Sequence, residues 1–210
     1  EASQYLAVIT SHSARLAEVF ARIRFARVLL VLLLTGTAIY DLRLLTRYPV
    51  AAGIDGYYYV LQATSVMQQG SPYFHTNKPV VAYLLGAISY VSKNPVLTVK
   101  VTAVVLQLLL CLGIYALLRT VIQEEWLALL GAVIAAISGL RFYLLSEFIN
   151  NLAALVFLVW TAWLLIRFLQ TKRLVWGICA SLLFLAGLFS HRMAPVIVLA
   201  MIVFASLIHI

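Results

Sequence analysis

The sequence predicts an all-α, polytopic membrane protein: a bundle of about six spans, each roughly 17–25 residues long, with a further helix at its margin. Three observations carry this. The chain is 64% hydrophobic and only 10% charged, with a mean hydropathy of +1.04, whereas a soluble domain holds about 45–50% apolar and about 25% charged residues. No soluble fold of 210 residues has enough interior to hide that much apolar surface, and lipid replaces the missing core. The apolar runs are long and continuous, not alternating segments of about ten residues, which argues against a barrel. Finally, most basic residues flank the runs, as topology signals and lipid-headgroup contacts do. The net charge of +8 therefore points to a bilayer partner and not to nucleic acid.

Residues 1–26 mix Leu6, Ile9, Leu16 and Phe20 with Arg15, Glu18, Arg22 and Arg24. They read either as an amphipathic surface helix or as a plain juxtamembrane extension. Residues 27–210 form the transmembrane module. Its first span covers 28–45, and Arg22, Arg24 and Arg27 place the preceding end in the cytoplasm. The polar, aromatic stretch 46–78 is the longest loop, and loops of that length tend to carry function. Residues 79–92 are apolar but too short to cross comfortably, and Lys93, Asn94 and Pro95 break them. Further spans are expected at 96–118, 126–145, 148–166, 174–190 and 194–210. Cys111 and Cys179 lie inside apolar runs and read as small packing residues. No cleavable signal is expected, because Asp41 and Arg43 follow the first run. A chain that starts at Glu1 and ends at Ile210 within an apolar run reads as a piece of a longer one.

Sidedness turns on residues 79–92. If they do not cross, Arg119 and the cluster Arg167, Lys172 and Arg173 fall inside, in keeping with the positive-inside rule. Asp55, Lys78, Glu147, His191 and Arg192 then gather on the extracytoplasmic side from four separate segments. Ionisable residues at membrane depth are costly and tend to be functional or paired. The spans themselves show no charge placed for a transport path and no paired broken helices, which makes a transporter or channel the weakest reading.

Three short motifs follow the first span in order: Gly53-Ile54-Asp55-Gly56-Tyr57-Tyr58-Tyr59, Gly70-Ser71-Pro72-Tyr73, and Asn77-Lys78-Pro79-Val80. Far downstream stands Ser146-Glu147-Phe148-Ile149-Asn150-Asn151. This series resembles the GT-C superfamily of polyprenyl-phosphate-sugar glycosyltransferases, of the protein mannosyltransferase and aminoarabinose transferase type. In that family an acidic residue precedes one or two tyrosines after the first span. A Lys-Pro-Pro-type motif then opens an apolar helix, and a second acid lies at an outer helix end. Val80 stands where a second proline is common, and Glu147 where Asp is frequent. The resemblance covers about residues 28–195 and implies sugar transfer from a polyprenyl-phosphate donor, with the site facing the periplasm of a bacterial inner membrane.

The resemblance gives the residues roles that suit their chemistry. The acceptor hydroxyl needs a base, for which Asp55 is the candidate, with Glu147 as its acidic companion. The departing phosphate needs positive charge, from Lys78, Arg192 and His191. Tyr57, Tyr58, Tyr59 and Asn150 would line the substrate. Each has a plainer alternative. Asp55 could cap the helix starting at Gly56, Lys78 could snorkel, and Glu147 could pair with Arg141. Asn150 and Asn151 could stitch helices together, His191-Arg192 could be a polar helix end, and the tyrosines with Tyr73 could form an interfacial belt. No cofactor is certain; a divalent cation near Asp55, Glu147 and His191 is the one candidate, without ligand spacing to support it. The alternative function is a non-catalytic subunit of a larger membrane complex that keeps the fold as a packing module.

Overall fold

The computed structural model describes residues 25–53, 55–74 and 79–191. The described residues form helices and loops, with no strand among them. The order is α1 (Phe25–Thr46), α2 (Gly56–Gln69), α3 (Pro79–Ser92), α4 (Pro95–Ile122), α5 (Glu125–Ile137), α6 (Leu140–Ser146), α7 (Ile149–Thr171) and α8 (Leu174–Leu188). The predicted amphipathic segment before Phe25, the predicted span at 194–210, Lys78 and Arg192 lie outside the described residues.

Three helices are long and apolar enough to cross a membrane: α1, α4 and α7, of 22, 28 and 23 residues. At about 1.5 Å per residue each exceeds a hydrocarbon core of about 30 Å. The predicted span at 126–145 is not one helix. It is broken into α5 and α6, which meet at 61° and count together as a fourth candidate. Ser138 and Gly139 fill the break, and Gly/Ser pairs are among the recognised sites of sharp kinks. α8 has 15 residues, fewer than a comfortable span needs. The described residues thus hold three to four candidate spans where six were expected over the whole chain.

Residues 79–92 form the short helix expected, 14 residues long. It packs on α2 and on the start of α4, and Gly86 lets it approach Val66 closely. The junction to α4 is built from the three residues that broke the apolar run. Lys93 takes a left-handed φ of 56°, Pro95 opens the helix, and the Asn94 side chain accepts the Leu97 N–H at 3.0 Å. Capping of this kind satisfies one of the orphan donors of a first turn.

Lipid offers helices no hydrophobic drive to associate, so close packing and hydrogen bonds hold such bundles together. α4 and α7 meet at Gly113, which faces Trp160. The Trp160 indole donates to the Leu109 carbonyl at 3.0 Å, and the Trp163 indole to Thr120 Oγ1 at 3.1 Å. The core joins Tyr59, Ala63, Val81 and Leu85 to Ala103 and Leu106 of α4 and Leu152 and Val156 of α7. α8 runs antiparallel to α7, with Gly177 against Phe168 and Gly187 against Phe157.

One end of the bundle is tied by charge. Glu125, buried, accepts from Tyr115 Oη at 2.5 Å and pairs with Arg119 and with Arg27, the latter at 3.4 Å. This brings together the start of α1, the end of α4 and the start of α5. α7 and α4 run the same way, so Arg167, Lys172 and Arg173 lie at this basic end too. The helices do hold buried charges, toward their ends. Asp41, Lys100, Glu125 and Arg141 are all buried, and each meets a partner from another helix or loop: Asp41 and Arg141 each other, Glu125 Arg27, and Lys100 the Tyr48 carbonyl.

Substituting Gly86→Ala should separate α3 from α2, because the new Cβ would stand 2.3 Å from Val66 Cγ1. Overpacking of this kind costs about 1–3 kcal/mol, and a thermal unfolding curve in detergent should shift downward; an unchanged curve would refute the close contact.

Candidate functional site

At the end opposite the basic cluster, the loop after α1 meets the α6–α7 junction. Gly53 takes φ +72°, a conformation that L side chains rarely adopt. It also makes room: a Cβ there would lie 2.3 Å from Glu147 Oε1. Two residues on, the Asp55 backbone N–H donates to Glu147 Oε2 at 2.9 Å. The Glu147 carboxylate is therefore seated on Gly53 and on the amide of Asp55, which opens α2.

Tyr59 binds the same junction from below. It is 4% exposed; its hydroxyl donates to the Glu147 carbonyl at 3.4 Å and accepts from the Asn150 N–H at 3.3 Å. Burial is the largest cause that pushes this phenol up, to about 12, so it stays a donor throughout the neutral range. The Asn150 N–H lies in the first turn of α7, where amides have no partner within the helix. Tyr59 thus closes α2 onto α7 and is turned inward.

Of the remaining aromatic residues Tyr57, Tyr73 and Phe74 are exposed, and Tyr58 is half-buried against the core. Tyr58 stacks on Phe74 at 5.7 Å with 15° between the rings. Tyr73 packs edge-on to Phe74 at 4.9 Å. The loop that carries Phe74 is pulled back onto α2 by two residues the sequence reading passed over. The Gln62 amide exchanges hydrogen bonds with the Phe74 backbone at 3.4 and 3.5 Å, and the Ser65 hydroxyl donates to the Ser71 carbonyl at 2.8 Å. Gln62 is 1% exposed, and a glutamine in the middle of α2, between Leu61 and Ala63, was the available signal.

The structure thus brings together Asp55, Tyr59, Glu147 and Asn150. Asp55 makes no side-chain capping bond to α2, so its carboxylate is not spent on the plainer role. Glu147 does not pair with Arg141; that guanidinium reaches Asp41, at 3.3 Å. His191 follows the end of α8, half-buried, with its N–H on the Gly187 carbonyl at 3.1 Å. The antiparallel course of α8 returns it toward the end where α7 begins. Lys78 and Arg192 are outside the described residues. Among the described residues no group of three or more His, Cys, Asp or Glu comes together as metal ligands.

A cleft of about 380 Å³ opens beside this junction, walled by Leu44, Leu45, Tyr48, Val50 and Ala51 on one side and Phe142 and Leu145 on the other. The buried Lys100 of α4 fixes its loop wall by donating to the Tyr48 carbonyl at 2.6 Å.

Two substitutions test this geometry. Gly53→Ala places a side chain in the left-handed region, which costs about 1–2 kcal/mol, and drives its Cβ into Glu147; a lower unfolding temperature in a correctly inserted protein is expected. Tyr59→Phe strands the Asn150 N–H, and an unsatisfied buried donor costs about 1–3 kcal/mol. A matching fall in unfolding temperature should appear below about pH 10 and shrink as the pH rises toward the raised phenol value of about 12, because the parent loses stability there as its phenol ionises in the unfolded chain while it stays protonated when buried, and the Phe variant has no such loss.

The dolichyl-phosphate-mannose-protein mannosyltransferase family matches residues 74–209, well over half of the chain. The match spans Lys78, Glu147, His191 and Arg192 and begins downstream of Asp55. The comparisons with curated proteins and with solved structures gave no match. The chain belongs to the dolichyl-phosphate-mannose-protein mannosyltransferase family, and is a membrane glycosyltransferase of the GT-C type.

Proposed function

We propose that the chain is the N-terminal transmembrane module of an enzyme that moves a sugar from a polyprenyl-phosphate donor to an acceptor hydroxyl, at the extracytoplasmic face of a bacterial plasma membrane. The family points to a lipid-linked sugar donor in a membrane setting. The observation that carries the finer reading is the bond from the Asp55 amide to Glu147, which sets two acids side by side at the end of the bundle away from Arg27, Arg119 and Arg167. Basic residues favour the cytoplasm, so the acids face the other way.

In this reading Asp55 accepts the proton of the acceptor hydroxyl as its oxygen bonds to the sugar C1. The bond from C1 to the phosphate oxygen breaks, and the polyprenyl phosphate leaves with the electron pair. Lys78, Arg192 and His191 meet the charge that grows on that phosphate. Glu147 holds the Asp55 backbone in place, and Tyr57, Tyr58 and Asn150 border the sugar. A divalent cation would have to draw on the same two acids, and no step above depends on one.

General acid–base groups contribute about 10²–10⁴-fold to a rate. Asp55→Asn and Lys78→Ala in the full-length protein, supplied with labelled polyprenyl-phosphate sugars, should each lose turnover by that order. Full turnover in both variants would overturn the roles given to Asp55 and Lys78, whereas a parent protein without turnover would favour a non-catalytic subunit. Assays with and without a chelator decide the part of a cation.

A further inference from the structure

Arg141 is the one cation of the α5–α6 span, and Asp41 the one acid of α1. They lie far apart in sequence, yet Arg141 Nη2 stands 3.3 Å from Asp41 Oδ1, with Asp41 0% and Arg141 8% exposed. A buried ion pair is a poor source of stability, since well-packed apolar residues often replace one at no loss. Charges kept at membrane depth are better read as functional.

The bonds of Arg141 show what this pair holds. α5 ends at Ile137, which leaves its last carbonyls without helical partners. From the first turn of α6, across the break, Arg141 Nη1 donates to the Ala136 carbonyl. A cation there also suits the negative end of a helix dipole. The guanidinium lies over Phe142 at 4.8 Å and over Tyr40 of α1 at 5.5 Å. One side chain therefore joins the end of α5, the start of α6 and the wall of α1. Ser138 and Gly139 permit a bend; Arg141 and Asp41 set its direction. Less than two helical turns further on, α6 ends and the Glu147 carboxylate rests on Gly53 and the Asp55 amide.

We propose that Asp41 and Arg141 are positioning residues for the transfer reaction. Their ion pair fixes the 61° bend of the α5–α6 span and thereby the place of Glu147 against Gly53 and Asp55. Neither residue touches the substrate, and the proposal rests on the reading of Glu147 as part of the site. Displacing a group by about 1 Å can cost on the order of a hundredfold in rate even when the change lies away from the chemistry.

The test uses the full-length protein in lipid nanodiscs, with spin labels at the exposed positions Val50 and Phe148, on either side of the Gly53–Glu147 contact. Asp41→Asn alone leaves an unpaired buried cation and can fail to fold, so the primary variant is Asp41→Asn with Arg141→Gln, which removes both charges. It should fold, broaden the label distance distribution, and lower kcat by about a hundredfold while the donor KM stays within about twofold. Asp41→Glu keeps the charge and should restore narrow distances and most of kcat. A double variant with narrow distances overturns the proposal, and so does one with broadened distances and unchanged kcat. Glu147→Gln is measured alongside. Full activity there would remove the catalytic reading on which the proposal rests, a failure distinct from the outcome of the label distances.

Discussion

The hydrogen bond from the Asp55 amide to the Glu147 carboxylate joins residues 92 positions apart, and much of the architecture exists to let it form. Its two ends arrive by different routes. Asp55 comes at the start of α2, on a loop turned by the left-handed Gly53. Glu147 comes at the end of a span that is broken and bent before it reaches the surface. Every intervening helix must begin and end on the correct side of the bilayer for these routes to converge. The condition is strict, because a chain in lipid cannot adjust by adding a loop within the hydrocarbon.

That condition is met by the shortness of α3. A helix of 14 residues is about 21 Å long at 1.5 Å per residue, well below the hydrocarbon thickness. It instead packs beside α2, and the chain stays at one end until Pro95 opens α4. The long helix α4 then carries it to the end where Arg119 and Glu125 pair, and the α5–α6 span returns it. Had α3 crossed, Asp55 and Glu147 would stand at opposite ends. The short helix and the carboxylate contact are two views of one constraint.

Much of this was legible in the sequence. The expected segments 28–45 and 96–118 fall within α1 and α4, 148–166 begins one residue before α7, and the bounds of α3 coincide with 79–92, because apolar length and the Asn94-Pro95 start signal are local properties. Sidedness and the family resemblance put Asp55 and Glu147 at one end of the bundle, though not the bond between them. The bend between α5 and α6 was not legible. Residues 126–145 are nearly all apolar, and lipid tolerates such a run whether straight or broken, so Ser138-Gly139 was a faint signal. Tyr59 was read with its neighbours as part of an aromatic surface. Its inward turn depends on α7 offering an unpartnered N–H at Asn150, which no local pattern reveals.

The buried charges show the same limit from the other direction. Asp41 served in the sequence only to argue against a cleavage site, and Arg141 was offered as a plainer partner for nearby Glu147. That pairing took neighbours in sequence as neighbours in space. In lipid that assumption is weakest for charges, because an unpaired ion there is costly enough to seek its partner from another helix. Arg141 finds Asp41 on α1, Glu125 finds Arg27 and Arg119 on α1 and α4, and Lys100 finds the Tyr48 carbonyl. Each of these contacts joins segments that apolar packing alone would leave free to slide, since one leucine surface in lipid is much like another. The charged residues are few, and for that reason they can set the register of the bundle.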